Sequence, residues 1–148
     1  MASLGKNLTI AAQVSRIKRQ LDSVAQKCEG PIGQTLFTQA ALVASEIRSV
    51  APIDNSSDTP GALRASVRVE QGQATGKKKI VVKIKAGGTK TLKGGAGGKV
   101  YDYGRAVEFG TQEMQAQPFF FPIWRARRKA VRATVRKAIG NAVRGVFK

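Results

Sequence analysis

The chain has 148 residues, 42% of them apolar, so it is large enough for one modest core and too apolar to be disordered throughout. Its 26 lysines and arginines exceed its nine acids by 17 charges, which predicts attraction to a nucleic acid, an acidic protein or an anionic surface. The absence of histidine and the single cysteine exclude histidine acid–base chemistry, a multi-cysteine zinc site and an internal disulfide. The length predicts a single domain over residues 1–148.

The sequence contains no stretch of about 18 apolar residues that could cross a membrane. Its N-terminus carries no apolar run of the kind found in signal peptides. We therefore expect a chain that is made and used without export and that has no membrane partner.

Two helices are predicted in the first 50 residues. The first has an apolar stripe at spacings of four and three, which suits either a short coiled-coil seam or, as we favour, a helix packed on its own core. Gly30 and Pro31 are expected to end it. The second helix runs to Pro52 and is expected to lie antiparallel to the first. The two stripes are Ile10, Val14, Ile17, Leu21, Val24 and Cys28, and then Leu36, Ala40, Val43, Ile47 and Val50.

A small, mainly antiparallel sheet of three to four strands is predicted next. Residues 63–70 indicate a strand that can begin with a helical turn, and residues 79–85 alternate apolar and lysine side chains, so the two form a hairpin. Residues 100–109 indicate a third strand. Between them, the glycine- and lysine-rich segment at about 86–99 is predicted to be a flexible loop. This segment lacks the glycine–lysine order of a phosphate-binding loop.

The last predicted element is a basic helix over residues 122–147, which completes an α+β fold. Its apolar face holds Trp124, Val131, Val135, Ala138, Ala142 and Val146, and a neighbouring stripe holds Arg125, Lys129, Arg132 and Arg136. No acid occurs from Phe121 to Lys148, so the stripe has no partner of opposite charge on its own helix. A solvated helix face is the simpler interpretation, but we favour contact with a polyanion or an acidic neighbour. Lys79, Lys83 and Lys85 would extend the same basic field.

The acidic residues do not indicate catalysis. Asp102, Glu108 and Glu113 are the nearest approach to a carboxylate set, and on a strand Asp102 and Glu108 would be about 20 Å apart. That separation is too large for a shared metal or for a divided acid and base role. We expect no enzyme activity, no cofactor and no metal.

The segment 118–122 has three consecutive phenylalanines between Pro118 and Pro122. If the segment is extended, Phe119, Phe120 and Phe121 cannot all face one core, and an outward aromatic would suit an interface. The alternative, that all three fill the junction between the sheet and the last helix, remains equally open.

Three segments of the chain carry motifs found together in one known family. The first is Ala51-Pro52 followed by SDTPGALRAS at 57–66, which Pro60 interrupts. The second is a tyrosine-containing strand that runs into Val107-Glu108-Phe109-Gly110-Thr111, and the third is Ala116-Gln117-Pro118-Phe119 with Pro122. They resemble, in this order, an earlier passage, the closing motif and the passage after it in a tail-component family of lambda-like, long-tailed bacteriophages. The order of elements also agrees over nearly the whole chain.

The resemblance implies a neck or tail-completion protein of the virion, assembled in the cytoplasm of the host bacterium. Such a protein would form a ring, sixfold by expectation, against head-closure or connector, tail-terminator or tail-tube proteins, with the DNA in transit as a further partner. The expected contact residues are Glu108, Phe109, Gly110, Thr111, Gln117, Pro118, Phe119, Phe120 and Phe121. The alternative is a stand-alone basic protein that binds nucleic acid without sequence specificity.

Overall fold

The computed structural model describes residues 9–55, 59–72 and 80–147, and it confirms an α+β fold. Two long helices and two small sheets make up most of it. In chain order the elements are α1 (Ile10–Val50), α2 (Ala62–Ser66), β1 (Arg68–Gly72), β2 (Val81–Lys85), β3 (Leu92–Gly94), β4 (Val100–Asp102), α3 (Tyr103–Phe109) and α4 (Phe121–Val146).

The prediction of two N-terminal helices was wrong, because α1 is one continuous helix of 41 residues with Pro31 inside it. Thr9 caps its start by accepting a hydrogen bond from the N–H of Ala12 at 3.4 Å, and the helix ends just before Pro52. A proline in a helix interior removes one backbone hydrogen bond and strains the preceding turn. Packing of α4 along α1 outweighs that local cost, so α4, and not a second N-terminal helix, is the long partner of α1.

The predicted hairpin is confirmed. β1 pairs antiparallel with β2, with Arg68 opposite Lys85 and Gly72 opposite Val81. The helical turn before the first strand is also present, as α2. The carboxylate of Glu70 lies 2.7 Å from Arg68 on its own strand and 2.6 Å from Lys85 across the hairpin. Hydrogen bonds from Lys85 and then Arg68 lower the pKa of Glu70.

The glycine-rich segment contains regular structure where we predicted a loop. A 3₁₀ turn at Thr89–Thr91 leads into β3, which pairs antiparallel with β4 so that Leu92 lies opposite Asp102. The side chain of Thr91 is buried, and its hydroxyl donates to the carboxylate of Asp102 at 2.8 Å. The sheet therefore consists of two separate two-stranded pieces, not the single sheet that the sequence predicted.

The predicted strand over 100–109 was wrong beyond its third residue. β4 ends at Asp102, whose side chain accepts a hydrogen bond from the N–H of Gly104 at 2.9 Å and so caps α3. An aspartate that accepts from an N–H two residues on is a strong helix start. Residues 103–109 are therefore helical, and α3 turns its buried side, which includes Val107 and Glu108, into the molecule.

The core lies where α1, α2, α3 and the start of α4 meet. Its buried members are Val43, Ala44, Ile47, Ala51, Leu63, Val67, Val107 and Phe119. Ile123 and Val131 of α4 pack against this cluster. The last helix is thereby held to the C-terminal half of α1, and the junction between α3 and α4 lies directly on the core.

Candidate functional site

One carboxylate joins α3 to the start of α4. The side chain of Glu108 is buried and accepts hydrogen bonds from the backbone N–H groups of Phe119, Phe120 and Phe121 at 2.8, 2.9 and 3.0 Å. Phe121 is the first residue of α4 and Phe120 is its N-cap, and the N-cap side chain itself makes no capping hydrogen bond. A carboxylate at a helix N-terminus satisfies unpaired N–H groups and suits the positive end of the helix dipole. Glu108 therefore fixes where α4 begins.

The connection between the two helices is itself a fixed turn. Gly110 has φ of 77°, and its N–H donates to the carbonyl of Ala106 at 2.8 Å. The N–H of Gln117 donates to the carbonyl of Val107 at 2.8 Å, which brings the chain back along α3. A Cβ at Gly110 would lie 3.0 Å from the carbonyl oxygen of Met114, so both backbone angle and space require glycine here.

The three consecutive phenylalanines face different surroundings. Phe119 is buried in the core at 2% exposure, Phe120 is half-buried, and Phe121 is 40% exposed. The ring of Phe121 lies 5.8 Å from that of Phe109, which is itself 63% exposed. We call Phe109 and Phe121 the aromatic pair. Of the three consecutive phenylalanines, only Phe121 is exposed, and it lies beside a second exposed phenylalanine, Phe109 of α3.

The expected contact residues likewise divide into buried and exposed positions. Glu108 and Phe119 are buried, whereas Thr111, Gln117 and Pro118 are exposed. The turn at Gly110 and the hydrogen bond from Gln117 to Val107 bring the segment before α4 back to α3.

An apolar groove opens next to the aromatic pair, and the sequence did not predict it. It has a volume of about 270 Å³ and lies between α1, β2 and the first turns of α4. Among the residues that the structure describes, no charged side chain lines it. Its walls include Ala40 and Val43 of α1, Val82 and Ile84 of β2, and Phe121 and Trp124 of α4. These segments are far apart in sequence, and the one available signal was Trp124 on the apolar face of the last helix.

The basic stripe of α4 is exposed along its whole length. The side chains of Arg125, Lys129, Arg132 and Arg136 make no ion pair or side-chain hydrogen bond to any other residue within 9–55, 59–72 or 80–147. By contrast, Arg127 pairs with Glu46 of α1 at 2.7 Å. The stripe is therefore a row of four charges, about 16 Å long at 1.5 Å per residue, available to a partner.

The lysines of β2 do not join that stripe. Lys83 and Lys85 alternate along the strand with Val82 and Ile84, which line the groove, so they lie on the opposite face of the hairpin. Lys85 is also paired with Glu70. The third lysine of this set, Lys79, lies outside the described residues.

The two acidic residues we considered as a pair have separate structural tasks. Asp102 caps α3 and binds Thr91, while Glu108 holds the start of α4. Within the described ranges, no group of three or more histidine, cysteine, aspartate or glutamate side chains is placed to hold a metal ion. No helix in those ranges is long and apolar enough to cross a membrane.

Residues 15–110 match the family model described as "Bacteriophage HK97-gp10, putative tail-component". The match covers well over half of the chain, from the first turns of α1 to the glycine that ends α3. The aromatic segment at 117–121 and the basic stripe of α4 lie beyond it. No curated protein and no solved structure matches the chain.

Proposed function

Because the chain belongs to the HK97-gp10-like family of bacteriophage tail components, we propose that it is a structural protein of the virion neck that joins heads to tails. In this proposal it is assembled in the cytoplasm of the host bacterium as a ring of identical copies, sixfold by expectation. The ring meets the head-closure or connector proteins on one side and the tail-terminator or tail-tube proteins on the other. It acts by burying surface and performs no chemistry.

The observation that carries the proposal is the rigid presentation of the aromatic pair. Phe109 and Phe121 are exposed, yet the three hydrogen bonds of Glu108 and the turn at Gly110 hold their backbones in place. Exposed aromatic side chains on a fixed backbone lose little conformational entropy on binding, and such residues often dominate the energy of protein interfaces. Thr111, Gln117 and Pro118, from the same turn and the segment before α4, are exposed as well.

Electron microscopy of particles from a phage that lacks this gene tests the proposal. We expect unjoined heads and tails, which join when the protein is supplied in trans. The Phe109→Ala, Phe121→Ala double variant should fail to restore joining, because it removes the exposed rings and leaves Glu108 in place.

Phe147→Ala is the matched control, since Phe147 is 74% exposed at the far end of α4. We expect this variant to restore joining. Normally joined particles without the gene would overturn the neck assignment, and full rescue by the double variant would overturn the role of the aromatic pair.

A second candidate function is nucleic-acid binding, and the basic stripe of α4 favours it. Four exposed cations in line, without an acid on the same helix, are suited to a phosphate backbone. The chain carries no known motif for reading DNA bases, so any such binding would be independent of the nucleotide sequence. In a neck ring the same stripe would face the DNA in transit or an acidic neighbour.

A further inference from the structure

The first turns of α1 extend beyond the end of α4. Arg127 of α4 pairs with Glu46 of α1, while Val131 lines the groove with Leu36 and Ala40, so α4 runs back along α1 in the antiparallel direction. With equal rise in both helices, Val146 lies opposite about residue 27 of α1. Residues 10–24, which we call the arm, therefore project past α4 by about 20 Å.

The arm carries an apolar seam that nothing in the described chain covers. Ile10, Val14, Ile17 and Leu21 are 82, 58, 55 and 63% exposed. Their spacing of four, three and four residues continues to Val24 and to the buried Cys28, so the seam lies on the side of α1 that α4 covers farther along. We call these four residues the arm seam.

The borders of the arm seam are nearly uncharged. At the heptad positions that flank it stand Ala11, Gln13, Lys18 and Gln20, whereas Arg16 and Arg19 lie on the outer side of the helix. This is unusual in a chain with a net charge of +17. An acidic partner would find only one cation here, so the seam is better suited to a neutral, apolar surface.

The groove between α1, β2 and α4 is such a surface. Within the described part of the chain, apolar side chains and Gln39 line it, and no charged residue does. Along α1 its lining begins at Leu36, about 30 Å from the middle of the arm, so the arm cannot reach the groove of its own chain. Two copies that repel each other elsewhere can meet at these two surfaces without placing like charges together.

We infer that the arm seam of one copy docks, as a helix in a groove, into the apolar groove of the next copy. Contact between two different surfaces of identical chains is heterologous, and it closes into a ring when the rotation between copies permits. The inference rests on the proposed ring and identifies the contact that builds it. Each copy then gives one arm and receives one.

The inference predicts how two defective variants behave together. Ile17→Glu places a charge on the arm seam, and Trp124→Glu places one at the groove, in the first turns of α4, where an acid favours the helix. Wild-type protein should sediment as species larger than a dimer, and each variant alone as a monomer. An equimolar mixture should give a dimer and nothing larger, because only one good arm and one good groove remain.

Ser15→Glu and Ala126→Glu are the matched controls, because they add the same charge to exposed positions outside both surfaces. Both should assemble like wild type. Circular dichroism checks that each variant is folded. If Trp124→Glu is not, Gln39→Lys adds a charge to the same groove from the middle of α1 and should behave as the groove variant.

Other outcomes overturn the inference in different ways. A dimer formed by the groove variant alone, but not by the arm variant, would show that two arms pair with each other. Assemblies of unchanged size in both variants would exclude the contact between arm and groove, and the ring would then have to form through a different contact. Wild-type protein that remains monomeric at every concentration would exclude docking between free copies, while the imaging of particles would still decide the neck assignment.

Discussion

At the scale of single residues, Glu108 supplies a helix cap from outside the helix. The residue at the N-cap of α4 is Phe120, whose side chain cannot accept a hydrogen bond, and Pro122 in the first turn removes one N–H that would need a partner. Glu108 accepts from the N–H groups of residues 119–121. The position of α4, and with it one wall of the groove, depends on this carboxylate.

We predict that Glu108→Ala lowers the free energy of unfolding by about 3 kcal/mol, because buried N–H groups lose a charged acceptor. Urea denaturation followed by circular dichroism measures the change. Glu113→Ala is the control, since Glu113 is exposed and its side chain makes no contact of this kind among the described residues; its effect should be within about 0.5 kcal/mol. Equal stability of the two variants would contradict the capping role.

The sequence could not reveal this task of Glu108, although the family motif drew attention to the residue. Residues 100–109 were interpreted as one strand, which would have placed Glu108 about 20 Å from Asp102 and far from its true partners. The local signal for the helix was present, because Asp102 with Gly104 two residues later is a cap. The three hydrogen bonds that Glu108 accepts depend on the turn between α3 and α4, and no local sequence pattern specifies that turn.

At the scale of elements, α1 shows packing prevailing over a local helix-breaking signal. Gly30 and Pro31 would end many helices, and Pro31 leaves the carbonyl of Lys27 without its usual N–H donor. The buried side chains on both sides of the proline, Cys28 and Ala40, belong to one helix that packs against α4. The penalty for one proline is smaller than the gain from a long, shared helix interface.

We therefore predict that Pro31→Ala stabilises the protein by about 1–2 kcal/mol. Alanine restores the backbone N–H and removes the steric strain of the ring, and the greater freedom of the unfolded chain offsets part of the gain. Thermal unfolding monitored by circular dichroism should show a higher midpoint.

Gly30→Ala is the companion variant to Pro31→Ala. A Cβ at Gly30 meets no atom within 4 Å, so we expect about 1 kcal/mol of stabilisation from helix propensity alone. A loss of stability in Pro31→Ala, beside a gain in Gly30→Ala, would show that the proline fixes a bend the fold requires.

The elements that the sequence predicted well share a clear physical basis. α4 was predicted within one residue at each end, because a long amphipathic pattern and a proline in the first turn are both local signals. The hairpin of β1 and β2 follows from alternation along Val81–Lys85. The second sheet was missed, because β3 has only three residues, LKG, in a segment whose glycines predict a loop.

At the scale of the whole molecule, charged side chains are distributed unevenly among the groove, the arm seam and the basic stripe. Counting only residues in 9–55, 59–72 and 80–147, the groove has no charged lining residue and the arm seam has one charged neighbour, whereas the basic stripe of α4 presents four cations together. A large net charge keeps identical copies apart except where both surfaces are neutral. The sequence predicted the stripe, but not the groove, since the groove requires α1, β2 and α4 to converge.

We predict that the basic stripe, and not net charge alone, governs any binding to nucleic acid. A quadruple variant with Arg125, Lys129, Arg132 and Arg136 replaced by Gln should reduce the dependence of log K on log salt by about 3.6 for duplex DNA, at about 0.9 per phosphate contact. Fluorescence anisotropy with a labelled duplex, titrated at several salt concentrations, measures this slope.

The matched control for the stripe replaces Arg16, Lys18, Arg19 and Lys27 of α1 by Gln. It removes the same four charges from exposed positions elsewhere. If the stripe follows a phosphate backbone, the control should keep nearly the wild-type slope. If both variants lower the slope equally, the attraction is a general effect of net charge. If wild-type protein shows no salt-dependent binding to DNA, we expect the stripe to bind an acidic protein neighbour instead. Its four cations have no partner among the described residues of their own chain.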